Sequence, residues 1–257
     1  GIRGRETARL RDMVRLNLFR DLEATAYLSR VDQTGESFTW AGDIEGRADR
    51  GTVNLTYSDG IFLGRVNIYG RGIFTISPGD PGFLVIEERD PSEARFAPPL
   101  LPDIELSRKA LSRESLPGSD VARASDGAIE IMVVWSLDAE AGASAQGSSI
   151  QAEVANAISL INTTYANSGI FQRVTLVASA RTDYVSTEDS YTDLERLQNP
   201  TDGFMDEIHQ LRESSGADCV SLITNGFDGS IIGQGYALYP QYNQYFKYWA
   251  FSVVDRH

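Results

Sequence analysis

The chain has 257 residues, of which 42% are hydrophobic and 23% charged, with a net charge of -13. That balance excludes a wholly disordered polypeptide, is large enough for a real core, and is compatible with two domains. The charge is uneven: Gly1 to Leu100 carries 13 basic against 15 acidic residues, and Ala128 to His257 carries 6 against 16. So acidic a surface argues against a nucleic-acid partner, because phosphate binding requires a basic one. A single cysteine, Cys219, permits no internal disulfide and no Cys-based zinc site. No apolar run approaches the length that spans a bilayer, and no signal-peptide pattern follows Gly1.

From Val14 to Arg89 the pattern has period two. It predicts seven short strands, Val14–Phe19, Ala24–Val31, Ser37–Ala41, Gly51–Tyr57, Ile61–Ile68, Gly72–Ile76 and Phe83–Glu87. Turns such as Ser58-Asp59-Gly60 and Pro78-Gly79-Asp80-Pro81-Gly82 stand at hairpin spacing, so an antiparallel meander, sandwich or half-barrel is expected. Residues 98–127 hold Pro98, Pro99, Pro102 and Pro117 and little periodicity, and read as a linker. Within it, Arg108, Lys109, Arg113 and Arg123 are candidate processing sites, since exposed linkers are where proteases cut; solvated charges on a tether are the plain alternative.

Beyond residue 127 strands alternate with helical periodicity. Ile129–Trp135 is a β-branched run; Ile150, Val154, Ala157, Ile158, Ile161 and Tyr165 fall on one helical face, and Gly169 supplies a stop. Val174–Ala180 and Cys219–Thr224 read as further strands, separated by helical signal from Asp193 to Ser214 that breaks at Asn199-Pro200. Alternation of this kind implies crossovers, hence an α/β class with a mixed, mostly parallel sheet and helices on its faces, preceded by the all-β region. The expected division is 1–97 β-rich, 98–127 linker, and 128–257 α/β.

Ala157-Ile-Ser-Leu-Ile-Asn162, followed by Tyr165-Ala-Asn-Ser-Gly-Ile170, resembles the first long helix of reprolysin-like zinc metallopeptidases, a metzincin family. The likeness continues in order through Val174–Val177, through Leu211-Arg-Glu-Ser-Ser-Gly-Ala-Asp218, and through Gly233, Gln234, Gly235, Tyr236 and Ala237. Phe251-Ser-Val-Val254 resembles the strand that leads into the active-site helix. Leu16-Asn-Leu-Phe19, Phe38-Thr-Trp-Ala-Gly42 and Val53-Asn-Leu55 to Gly64-Arg-Val66 are similar to the propeptide of the bacterial members.

The resemblance implies a zincin-like fold for the second region and a secreted zymogen that hydrolyses peptide bonds in proteins. It also implies an intramolecular contact between propeptide and catalytic domain. Zinc would polarise the substrate carbonyl and lower the pKa of its bound water, held by two His at i and i+4 of a helix whose Glu is the general base. That His-Glu-x-x-His motif is absent from these residues and is expected downstream of His257, so the chain contributes no catalytic side chain and no metal ligand of its own. What it would contribute is a strand, Gly233 to Ala237, along which a protein or peptide substrate lies by β-addition.

Several other features have plain readings beside a functional one. His209 and Glu213 stand at i and i+4, a spacing that can share a metal, but no third ligand accompanies them and a surface role is the better account. Cys219 lies in a strand core with no base nearby. Asp43, Glu45 and Asp59 are carboxylates through which a propeptide without cysteine could inhibit, and each also reads as a surface charge. Asn225-Gly-Phe-Asp-Gly229 lacks calcium-loop spacing and reads as a turn. Tyr236, Tyr239, Tyr242, Tyr245, Phe246, Tyr248 and Trp249 make an aromatic stretch suited to a recognition surface or to covering a sheet edge. A different class is also open: Ser221-Leu-Ile-Thr-Asn-Gly226 resembles the corresponding strand of von Willebrand A-type adhesion domains. Their Asp-x-Ser-x-Ser is not present, because Asp138 is followed by Ala139-Glu140-Ala141-Gly142.

Overall fold

Where hydrophobic residues alternate, the chain forms long strands that pair with their neighbours in sequence. The computed structural model describes residues 12–90, 92, 97–103, 127–227, 231–237 and 246–256. Its first sheet is antiparallel throughout, in the order β1 Met13–Phe19, β2 Leu22–Thr34, β3 Ser37–Ile44, β4 Gly51–Ser58, β5 Ile61–Ile68, β6 Gly72–Pro78 and β7 Leu84–Arg89. The β4–β5 hairpin is closed by Asp59 and Gly60, both at positive φ (48° and 86°), the geometry a two-residue turn demands. Gly51 shows a second backbone requirement. At φ 141° a Cβ there would lie 2.0 Å from the Asn67 carbonyl oxygen, so only glycine lets β4 approach β5 at that end.

Alternation sorts the two faces. Trp40, Val53, Leu55, Val66, Phe74 and Ile76 form the core on one side. Ser37, Thr39, Asn54, Thr56 and Ser58 line the other and are also buried. Thr39 hydrogen-bonds Thr56 at 2.7 Å, and Ser37 donates to Ser58 at 2.7 Å.

The second sheet has five strands in the order β11-β12-β10-β8-β9: β8 Ala128–Trp135, β9 Arg173–Arg181, β10 Cys219–Thr224, β11 Gly233–Gly235 and β12 Phe251–Asp255. β8, β9, β10 and β12 pair in parallel, and β11 alone runs antiparallel, at the edge. Between β8 and β9 lie α1 Leu137–Ala145 and α2 Ile150–Asn167, capped by the Ser136 and Ser149 hydroxyls; between β9 and β10 lie α3 Ser190–Gln198 and α4 Asp206–Ser215. Each connection covers one face. Val133, Trp135, Val154 and Ile158 form the core on the α2 side, and Met132, Val134, Leu194, Leu197, Ile208 and Leu222 that on the other. Such two-sided burial explains why β8 is a continuous apolar run.

The expected α/β class with a zincin-like, mostly parallel sheet as its organising element is overturned. The chain is mostly β, 44% strand against 24% helix, and its dominant element is the large curled antiparallel sheet of seven strands. The physical reason is length. The period-two region gives consecutive strands of up to 13 residues joined by tight turns, whereas the helical signal after β9 yields only two short helices of 9 and 10 residues. The break expected at Asn199-Pro200 in the helical signal from Asp193 to Ser214 runs from Gln198 to Asp206, with Met205 in a left-handed conformation at φ 55°.

The two sheets meet through α2, and the contact is made by polar side chains. Asn54 Nδ2 donates to Ser159 Oγ and Thr163 Oγ1, both at 3.0 Å. Thr56 Oγ1 donates to Asn156 Oδ1 at 3.1 Å, and Ser159 Oγ to Asp32 Oδ2 at 2.5 Å. Arg30 is paired with Asp32 at 2.6 Å and also reaches the Ser159 carbonyl and Thr163. Buried groups matched this way fix register and specificity rather than supplying bulk hydrophobic stability.

Candidate functional site

The strand β11 is three residues long and owes its place to β12. Gly233, Gln234 and Gly235 pair with Val254, Val253 and Ser252. The two glycines sit close on that partner: a Cβ on Gly233 would lie 3.0 Å from the Val253 carbonyl oxygen and one on Gly235 would lie 3.3 Å from Ser252 Cβ.

The opposite edge of β11 is where an added strand would bind, and the chain itself occupies it. Ala97 N donates to Gly233 O at 3.3 Å, Leu100 N to Gly235 O at 3.0 Å, and Ala237 N to Leu100 O at 2.9 Å. Leu100 and Tyr236 form a parallel bridge, and Gln234 Nε2 donates to the Pro98 carbonyl at 3.2 Å. All five residues expected to carry a substrate strand, Gly233, Gln234, Gly235, Tyr236 and Ala237, are thus beside an extended segment of this same chain. Sequence reading treated 98–127 as a tether and missed this role. The available signal was Ala97-Pro98-Pro99-Leu100, since a residue preceding proline is pushed into extended geometry and proline itself tolerates only an edge position.

Beside the covered edge, on the side of α3 and α4, a cavity of about 810 Å³ opens, bounded by Leu100, Asp103, Tyr236, Trp249, His209 and Arg212. Tyr236 meets Trp249 edge-on at 4.8 Å, and burial pushes its hydroxyl pKa well up. Tyr239, Tyr242 and Tyr245 lie outside the described residues, as do the processing candidates Arg108, Lys109, Arg113 and Arg123 and also His257.

His209 does not form a metal pair with Glu213. Its Nε2 faces the Leu197 carbonyl at 3.0 Å and its ring lies against Phe251 at 5.2 Å, tying α4 to α3 and to β12. Among the described residues no group of three or more His, Cys, Asp or Glu could hold a metal ion. Asp138 is likewise spoken for: it accepts from Ser186 N at 2.9 Å, Ser186 Oγ at 2.8 Å and Asn225 N at 3.2 Å, so it fastens the ends of β8 and β10. Of the 225–229 segment, Gly226 N and Phe227 N donate to Asp255, and residues 228 and 229 lie outside the described residues. Cys219 is half-buried, and burial raises its thiol pKa. Glu45 and Asp59 are exposed residues at positive φ, in turns of the seven-stranded sheet.

The environment of His209 gives a pH dependence. Burial holds its pKa below the ordinary 6.5, with Arg212 acting the same way, while the Leu197 carbonyl, Asp206 and Asp202 oppose the shift. A folded-state pKa below the unfolded one means that the folded protein binds fewer protons, so this contribution is present above the unfolded value and is lost as pH falls from there through the folded value. Stability measured by urea denaturation should therefore decline on the acid side of 6.5 more steeply in the wild type than in His209→Gln. Parallel pH profiles for the two proteins would refute this account.

In sequence, the similarities of this chain fall on one class, the metallopeptidases. It is 32% identical over 105 residues to a peptidyl-Asp metalloendopeptidase of Stenotrophomonas maltophilia (strain R551-3), a stretch that makes up 41% of this chain and 25% of that protein. It is 28% identical over 218 residues to a protein of the same name in Xanthomonas campestris pv. campestris, covering 78% of this chain and 50% of that protein. The chain thus spans half or less of the length of these relatives. No family model matches it. Among solved structures, metalloproteinase-II from Bacteroides fragilis aligns over 95% of this chain and 75% of that one at 12% identity and a TM-score of 0.49, a likeness too loose to carry an argument. No helix among the described residues is long and apolar enough to cross a membrane.

Proposed function

We propose that the chain is part of an exported zinc metalloendopeptidase of the reprolysin-like kind, in which residues 1–97 act as propeptide, 98–127 as the connection to be cut, and 128–257 as a portion of the catalytic half. In this reading the edge of β11 is the shelf on which a peptide substrate is held by main-chain hydrogen bonds, and residues 97–100 keep that shelf covered until maturation. The observation that carries the reading is the backbone pairing of Ala97 and Leu100 with Gly233, Gly235 and Ala237, taken with the sequence likeness to metalloendopeptidases.

Among the described residues no group of three or more His, Cys, Asp and Glu makes a metal site, and in this reading the zinc ligands and the general base come from another part of the parent protein. The relatives are named for action at Asp, which makes an unstructured, Asp-containing protein the first substrate to assay.

The deciding experiment expresses the complete reading frame and follows chelator-sensitive cleavage of such a substrate. Activity should be low in the uncut precursor and rise once the 98–127 region is cut. Leu100→Pro, which removes the N–H given to Gly235, should raise activity in the uncut precursor while leaving the matured enzyme unchanged. A complete protein without metal-dependent cleavage would overturn the peptidase assignment. An active one in which Leu100→Pro has no effect would overturn only the role of the covering segment.

A further inference from the structure

A second, smaller cavity lies between the seven-stranded sheet and α2, away from the covered edge. Its volume is about 400 Å³, and its walls include Thr52, Arg65, Asn67 and Tyr69 from the sheet with Thr163 and Thr164 from the helix. Arg65 stands opposite Asn54 in the β4–β5 register, and Asn54 is the residue that hydrogen-bonds α2, so both side chains belong to the face that meets the helix.

The chemistry of the walls is one-sided. They offer a guanidinium, hydroxyls and amides and contain no carboxylate. Among the described residues Arg65 has no ion pair, and the charge that bears on it is another cation, Arg89; burial and that cation together lower its pKa from the ordinary arginine value. Its outer side remains in solvent, so the cavity can be reached.

The C-terminal end of α2 borders the same space, and a helix C-terminus would normally repel an anion. Here three of the last four carbonyls are already used: Ser168 N donates to Thr164 O and Tyr165 O, Gly169 N to Ala166 O, and Ile170 N to Tyr165 O. Thr164 Oγ1 is committed to the Leu160 carbonyl, whereas the side chains of Arg65, Thr52 and Asn67 have no hydrogen-bond partner among the described residues and can act on a guest.

We propose that this cavity is a binding site for a small oxyanion, a phosphate or carboxylate group, held by Arg65 and the surrounding hydroxyl and amide donors. The planar fork of the guanidinium matches such a group with two parallel hydrogen bonds. Because the site has one wall on the sheet and one on α2, an occupant tightens the joint between them, and binding to the folded form alone raises its stability.

The test uses the full chain, with inorganic phosphate, acetate and chloride titrated at matched ionic strength while thermal unfolding is followed. Phosphate should raise Tm by a few degrees beyond chloride; an equal rise with acetate would assign the site to oxyanions in general, and a rise with phosphate alone would assign it to phosphate. The increment should vanish in Arg65→Gln and persist in Arg20→Gln, an exposed arginine on the turn between β1 and β2. Equilibrium dialysis with labelled phosphate provides a second readout on the wild type. No increment over chloride, an increment unchanged in Arg65→Gln, or no bound phosphate in dialysis would overturn the proposal.

Discussion

Replacing Arg256 by methionine should cost about 3–5 kcal/mol, the range for removing one partner of a buried ion pair. Arg256 is 4% exposed and Glu153 20%, and they meet at 2.9 Å. The same guanidinium donates to Glu153 Oε1 at 3.1 Å, Gln146 Oε1 at 2.6 Å and Asn225 Oδ1 at 3.2 Å. It therefore joins the end of β12 to α2, to the segment before α2 and to the turn after β10. Without it the Glu153 carboxylate stays in the interior without its counter-charge. Chemical denaturation of R256M measures the loss, and the double variant R256M/E153L should recover most of it by removing the stranded charge. If R256M and R256M/E153L are equally unstable, the loss comes from packing and the electrostatic account fails.

Within the seven-stranded sheet, Phe74→Ala should be nearly as damaging and Phe83→Ala nearly silent. Phe74 is 1% exposed, in contact with Phe19 at 5.8 Å between ring centres, and central to the core of Trp40, Val53 and Val66. Truncating a fully enclosed phenylalanine costs about 3–5 kcal/mol because the cavity left behind cannot close. Phe83 is 73% exposed in the turn before β7, so little apolar contact is lost there. Urea midpoints for the two variants check the contrast. Comparable losses would mean that the sheet does not depend on the enclosed core described above.

The strands of this protein were legible because their signal is local. Period-two runs place Val53 and Leu55 on one side and Asn54 and Thr56 on the other. Turn residues with positive φ, Asp59 and Gly60, mark where the direction reverses. The β-branched run at Ile129–Trp135 likewise announced a strand buried on both faces. The weight of each element was harder to read. A sequence shows where strands lie but not how many join in one sheet, and the fold class turned on the seven-stranded sheet rather than on the crossovers.

What the sequence by itself determined was the alternation along each strand and the helical face from Ile150 to Tyr165; the helix Leu137–Ala145, in a stretch whose small residues 141–149 suggest a loop, emerged only in the structure. Only the tertiary structure decided who meets whom. His209 faces a carbonyl rather than Glu213, Arg65 comes to lie against α2, and Ala97 and Leu100 cover the edge of β11 more than 130 residues away. The reason is physical: main-chain hydrogen bonds at a strand edge accept any extended partner, so the pairing of residues 97–100 with β11 leaves almost no trace in the side chains that make it.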